Sequence, residues 1–103
     1  MAKFVYLYSG GSMAETPEEQ ATVMQQWTAW FTELGASIAD PGAPFGASTG
    51  VSGLSGTTGS DSLGATGYSV VVADSLDGAV TAAKGCPVLA SGGAVDVYQL
   101  IEM

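Results

Sequence analysis

Residues 4–8, Phe-Val-Tyr-Leu-Tyr, place large apolar side chains at both parities of an extended strand. Phe4, Tyr6 and Tyr8 share one face, and Val5 and Leu7 share the other. A strand that is apolar on both faces belongs inside a sheet with cover on each side. The chain has 103 residues, the length of one domain, so two covering layers are hard to supply. Whatever the fold, this strand sits near its centre.

The helix that follows has a complete set of boundary signals. Thr16 stands as N-cap, Pro17 at the first helical position, and Glu18 and Glu19 in the first turn. Thr16 and Glu19 have capping-box spacing, and Gly35 is the C-terminal stop. Between them Val23, Met24, Trp27, Trp30, Phe31 and Leu34 recur at intervals of three and four, one wide apolar stripe. A helix over 17–34 is expected, about 27 Å long.

Residues 36–40 suit a second strand, interrupted by the turn chemistry of Pro41-Gly42-Ala43-Pro44-Phe45-Gly46. Fifteen of the twenty residues in 48–67 are Gly, Ser or Thr. Such a stretch is expected as a loop with at most a weak strand or hairpin, with a lid over a site as the sharper reading. Tyr68 to Ala73 is a clear strand. Asp74-Ser75 caps a second helix with Leu76, Ala79, Val80 and Ala83 on its apolar face, and Gly85 and Pro87 end it. Residues 94–103 form a closing strand. The order βαββαβ predicts an α+β domain of ferredoxin-like type, residues 1–103, with two helices on one face of an antiparallel sheet. Val5 and Leu7 are expected to face the helices. The face carrying Phe4, Tyr6 and Tyr8 would then lie bare, and a homodimer joined sheet to sheet is the expected remedy.

Charge narrows the function. Ten acidic residues stand against Lys3 and Lys84, a net charge of −8, with no His. Two lysines cannot build a phosphate-tracking surface, so nucleic acid is excluded as a partner, as is attraction to an anionic membrane. Without His there is no Ser-His or Cys-His dyad and no usual zinc ligand. No metal or cofactor motif is present. The lone Cys86 has no internal disulfide partner, and residues 1–8 are too short an apolar run for a secretory signal, so a cytoplasmic location is expected. No stretch approaches the length of a transmembrane helix.

A set of segments distributed along the whole chain carries a family resemblance. They are Lys3-Phe4-Val5-Tyr6-Leu7-Tyr8 with Gly10-Gly11, Trp27-x-x-Trp30-Phe31-x-x-Leu34-Gly35, and Asp40-Pro41-Gly42-Ala43-Pro44-Phe45-Gly46. Further on stand Gly67-Tyr68, Ala73-Asp74-Ser75-Leu76-Asp77, Ala83-Lys84-Gly85-Cys86-Pro87 and Val95-Asp96-Val97. In these the chain resembles the YCII-related family, in its DGPF-domain branch. The resemblance implies a ferredoxin-like fold dimerised through its sheet into an α/β barrel, with a pocket between sheet and helix or at the dimer interface. Some members carry a His–Asp pair with the His on the first helix. Here that region reads Gln25-Gln26-Trp27, and near the place of the Asp-Gly-Pro-Phe signature stands only Asp61, without Pro or Phe.

Asp40 is the one candidate for acid–base work, at a strand end beside rigid turn residues. The favoured reading of the same carboxylate is structural, accepting N–H bonds within its turn. Tyr6, Tyr8, Trp27, Trp30, Phe45 and Tyr68 are either core and interface packing or the wall of a cavity for a neutral or cationic small molecule. Cys86 follows a helix end, where the dipole disfavours a thiolate, and reads as a small buried residue. Glu15, Glu18 and Glu19 complement the helix dipole and lack metal-ligand spacing. A non-enzymatic binding module and a cofactor-independent enzyme using Asp40 with a Tyr hydroxyl are the two functional readings. An enzyme would enclose Asp40 in a pocket, whereas a structural Asp40 would be tied to its own turn.

Overall fold

The computed structural model describes residues 2–10, 16–59 and 63–101. Glu15 and Asp61 lie outside the described residues. In chain order the elements are β1 (Ala2–Gly10), α1 (Pro17–Leu34), a 3₁₀ turn (Gly35–Ser37), β2 (Ile38–Pro44), β3 (Gly50–Ser52), β4 (Thr57–Gly59), β5 (Ala65–Ala73), α2 (Leu76–Ala83), α3 (Pro87–Ala90) and β6 (Gly93–Gln99). β1 pairs antiparallel with β5 and β6, and β2 pairs antiparallel with β5, giving a four-stranded sheet in the order β2-β5-β1-β6. The molecule is α+β, its topology compatible with a ferredoxin-like fold. The doubly apolar strand β1 is central, as its composition requires.

Local signals act where they stand. Thr16 accepts a hydrogen bond from Glu19 N at 3.1 Å, with Pro17 in the first turn, and α1 ends at Gly35 with φ 53°. Ser75 caps α2 by accepting from Gly78 N at 3.1 Å. Two local expectations change, and the weak hairpin allowed in the glycine-rich segment forms. Pro41 to Pro44 do not interrupt β2; two register shifts absorb them, and an edge strand tolerates prolines that a central one would not. Pro87 does more than end α2: it occupies the first turn of α3, where its missing N–H costs nothing. Part of the glycine-rich segment is ordered. Residues 50–59 form a β3–β4 hairpin, and 65–67 belong to β5.

The larger correction concerns which face of β1 meets the helices. Phe4, Tyr6 and Tyr8 are 0%, 0% and 6% exposed and form the core with Trp30, Val71, Ala79, Ala83, Cys86 and Val88. Val5 and Leu7 lie on the opposite face. Alternation separates the two sets but cannot say which turns inward. The neighbours decide it. On the helix side β5 presents Gly67 and Ser69 beside Tyr8 and Tyr6, and α2 presents Ala79 and Ala83. Those small residues leave volume that large rings fill. The Tyr6 hydroxyl then donates to Ala79 O at 2.6 Å, which satisfies it in the dry interior.

The uncovered face carries Val5 and Leu7 from β1, Val70 and Val72 from β5, and Tyr98, 51% exposed, from β6. Lys3 and Asp96 share that side. The molecule is accordingly thin, 45 × 40 × 19 Å, one helix layer on one sheet.

Candidate functional site

A cavity of about 410 Å³ opens between the front of α1 and the β2–β5–β1 end of the sheet. Tyr8, Met24, Trp27 and Phe31 form its aromatic and thioether side, and segments 41–44 and 66–69 with Val88 complete it. The volume lies in the usual range for small-molecule pockets. Among the described residues no charged side chain lines it.

Each wall has a local cause. Trp27 stands centrally on the apolar stripe of α1, and its ring meets Tyr8 edge-on at 5.0 Å and 80°. It also contacts Trp30 and Phe31, at 5.7 and 5.8 Å between ring centroids. Farther toward the start of the helix the stripe runs out of sheet to cover. Met24 is 66% exposed and stands at the cavity edge. On the sheet side Gly67 faces Tyr8. A Cβ there would lie 3.1 Å from Ala43 O and 3.5 Å from Tyr8 Cδ2, so glycine lets β2 approach and leaves the ring its place. Gly42, with φ 75°, passes so close to Tyr68 that a Cβ would meet its carbonyl oxygen.

The polar groups of the wall are engaged with one another. Tyr8 Oη donates to Ser69 Oγ at 2.8 Å, and Ser69 Oγ donates to Pro41 O at 2.7 Å. Thr66 Oγ1 donates to Tyr8 O at 3.2 Å. Among the described residues no buried side-chain polar atom lacks a partner. Burial raises the Tyr8 hydroxyl well above the ordinary tyrosine value, although the Ser69 bond pulls the other way. The same desolvation pushes Tyr6 up to about 12. Both tyrosines are therefore neutral donors at physiological pH, already committed to acceptors.

The structure divides the six aromatic candidates. Tyr8 and Trp27 belong to the cavity; Tyr68 is in its lining segment, but as the register partner of Leu7 it turns its side chain to the uncovered face of the sheet. Phe45 stacks on Tyr68 at 5.8 Å and 22°. Tyr6 and Trp30 are core residues: they stack at 6.0 Å, and Trp30 Nε1 donates to Ala82 O at 3.2 Å. Asp40 is exposed. Its Oδ1 accepts from Gly42 N at 2.8 Å and its Oδ2 from Tyr68 Oη at 3.4 Å. This carboxylate is tied to its own turn, outside the cavity wall. Cys86 is buried, and burial pushes its thiol up to about 11, the opposite of what a nucleophile needs.

Ser69, Gly67 and Met24 are cavity residues outside the candidate set drawn from the sequence. Ser69 left a trace there, a polar residue at a core-facing position in an otherwise apolar strand. Met24 stood there as one member of the apolar stripe, and its exposure depends on where the sheet ends.

Two other cavities lack this character. One of about 360 Å³ lies by Tyr6, Asp74 and Ser75, and a shallower one of about 460 Å³ lies between α1 and α3. Among the described residues no three His, Cys, Asp or Glu side chains cluster to hold a metal ion, and no helix is long and apolar enough to cross a membrane. No family model, curated protein or solved structure matches the chain.

Proposed function

We propose that the protein is a small-molecule binding module of YCII-related type that works as a homodimer and holds a neutral, largely apolar molecule against Trp27 and Tyr8. The observation that supports this reading is the cavity of about 410 Å³ with an aromatic wall and, among the described residues, no charged lining side chain. Burying an ion in such a site would leave its charge uncompensated, at a cost of several kcal/mol. A planar apolar ligand meets ring faces and edges and displaces water from the wall. The hydroxyls of Tyr8, Ser69 and Thr66 already have partners, so they shape the cavity more than they recognise polar groups.

Dimerisation is proposed through the uncovered face of Val5, Leu7, Val70, Val72 and Tyr98, the reverse of the face expected from alternation alone. Each Å² of apolar surface removed from water there is worth about 25 cal/mol. A two-fold contact counts the patch twice. The net charge of −8 on each chain opposes the contact, so added salt tightens it.

The enzyme reading has one observation in its favour, the Tyr68–Asp40 hydrogen bond. That pair is exposed and tied to the β2 turn, which suits a positioning role better than proton transfer in a dry pocket.

Tryptophan fluorescence and thermal shift with neutral, cationic and anionic naphthalene derivatives test the binding reading. A neutral compound is expected to raise Tm and perturb Trp27 emission, as ligand binding to the folded state requires. Met24→Asp, which sets a charge at the cavity edge where Met24 stands exposed, is expected to weaken both effects. Equal shifts in that variant, or no shift with any compound, overturn the reading.

A further inference from the structure

The β3–β4 hairpin stands apart from everything the cavity and the core require. Its two strands pair only with each other, as a separate two-stranded sheet. Residues 51–59 are exposed on both faces of the hairpin. Val51 is 70% exposed, and Leu54 at the tip is fully so. The turn itself is well made: Gly53 and Gly56 have φ of 74° and 69°, and Gly56 N donates to Gly53 O at 3.2 Å. Isolated two-stranded hairpins are marginal in water, and apolar tips are an added liability.

Charge indicates what such an arm can meet. The chain is strongly acidic, yet no charged residue occurs between Asp40 and Asp61. A partner of opposite charge would be met through the acidic surface. A second copy of this chain is equally acidic, and only a charge-free segment approaches it without repulsion. The arm lies in the link between β2 and β5, the edge pair of the sheet whose open face is the proposed dimer contact.

From these features we infer that residues 50–59 are a dimer arm, with Val51 and Leu54 of each protomer packing on the second copy. The inference rests on the homodimer proposed above. An isologous dimer uses two such arms, so each substitution acts twice.

Sedimentation equilibrium of the full chain separates the two proposals. The comparison is between wild type, the Val51→Ser/Leu54→Ser double variant, and Val70→Asp on the open sheet face. The wild type is expected to be a dimer at micromolar concentration. Val70→Asp is expected to be a monomer, and the arm variant to dissociate with a Kd at least about tenfold higher, its monomer retaining the wild-type circular dichroism. A monomeric wild type overturns the dimer and the arm together. A dimeric wild type whose affinity the arm variant leaves unchanged overturns the arm alone. Hydrogen exchange supplies a readout independent of those variants. Amides 50–59 are expected to gain protection as wild-type concentration rises through the Kd. Protection that ignores concentration would show the arm resting on its own chain and overturn the inference.

Discussion

Tyr8 Oη and Ser69 Oγ lie 2.8 Å apart, the donor on the central strand and the acceptor on its neighbour, and Ser69 passes the chain of bonds on to Pro41 O of the edge strand. One serine thus ties three strands together beneath the candidate site. Ser69→Ala removes the partner of both the Tyr8 hydroxyl and the Pro41 carbonyl in a dry environment. It is expected to cost about 1–3 kcal/mol. Tyr8→Phe leaves Ser69 still donating to Pro41 and is expected to cost less, about 0.5–1.5 kcal/mol. Urea denaturation of both variants measures the difference, and a larger loss for Tyr8→Phe would contradict the bonding order.

Trp27 and Trp30 sit three residues apart on one helix and do different work. Trp30 is 4% exposed and bonded to Ala82 O, so Trp30→Ala is expected to cost about 3–5 kcal/mol. Trp27 is half-buried, more so than Gln25 or Thr32 on the same helix. Its replacement by Ala is expected to cost about 1–3 kcal/mol, because fewer contacts are lost, and to abolish the fluorescence response to naphthalene ligands. Chemical denaturation ranks the two variants, and ligand titration then separates them.

Gly42 combines φ of 75° with a backbone approach in which a Cβ would lie 1.8 Å from Tyr68 O. Gly42→Ala therefore forces β2 away from β5 and opens the cavity wall. A loss of more than about 2 kcal/mol is expected, beyond the penalty of a left-handed residue alone. Gly46 has no atom within 4 Å of its Cβ position, and Gly46→Ala is the control, with an expected change within about 0.5 kcal/mol. Thermal unfolding of the pair makes the comparison.

Stability is expected to fall at alkaline pH in two stages. Burial raises Cys86 from 9.0 to about 11 and Tyr6 from 10.0 to about 12. Both groups are neutral when protonated, and the folded state favours the neutral form. Their contribution is complete below the unfolded values and is lost as pH rises through the folded ones. The Cys86 part therefore declines between about pH 9 and 11, and the Tyr6 part between about pH 10 and 12, with buried Tyr8, raised further still, adding to the loss above pH 10. In Cys86→Ala the onset is expected to move up by about one pH unit, from the thiol range to the tyrosine range. An unchanged onset would show that the thiol does not titrate with unfolding.

Sequence alone determined the parts of this protein that rest on short-range chemistry. The ends of α1 follow from Thr16, Pro17 and Gly35, because caps and stops act within one turn of helix. The cap of α2 follows from Ser75 for the same reason. The central place of β1 follows from apolar side chains at both parities. Partners distant in the chain decided the rest. Alternation grouped Phe4, Tyr6 and Tyr8 but left their direction open, and Gly67, Ser69, Ala79 and Ala83 set it by leaving room for rings. The cavity exists because Gly67 and Gly42 let β2 close against β5, a packing relation between residues that no local pattern connects. Asp40 at a strand end beside a proline turn already favoured turn formation over chemistry, and the positions of Gly42 N and Tyr68 Oη tie it to the turn. Burial, unlike capping, is a property of the volume that all elements enclose together, and only the tertiary structure specifies that volume.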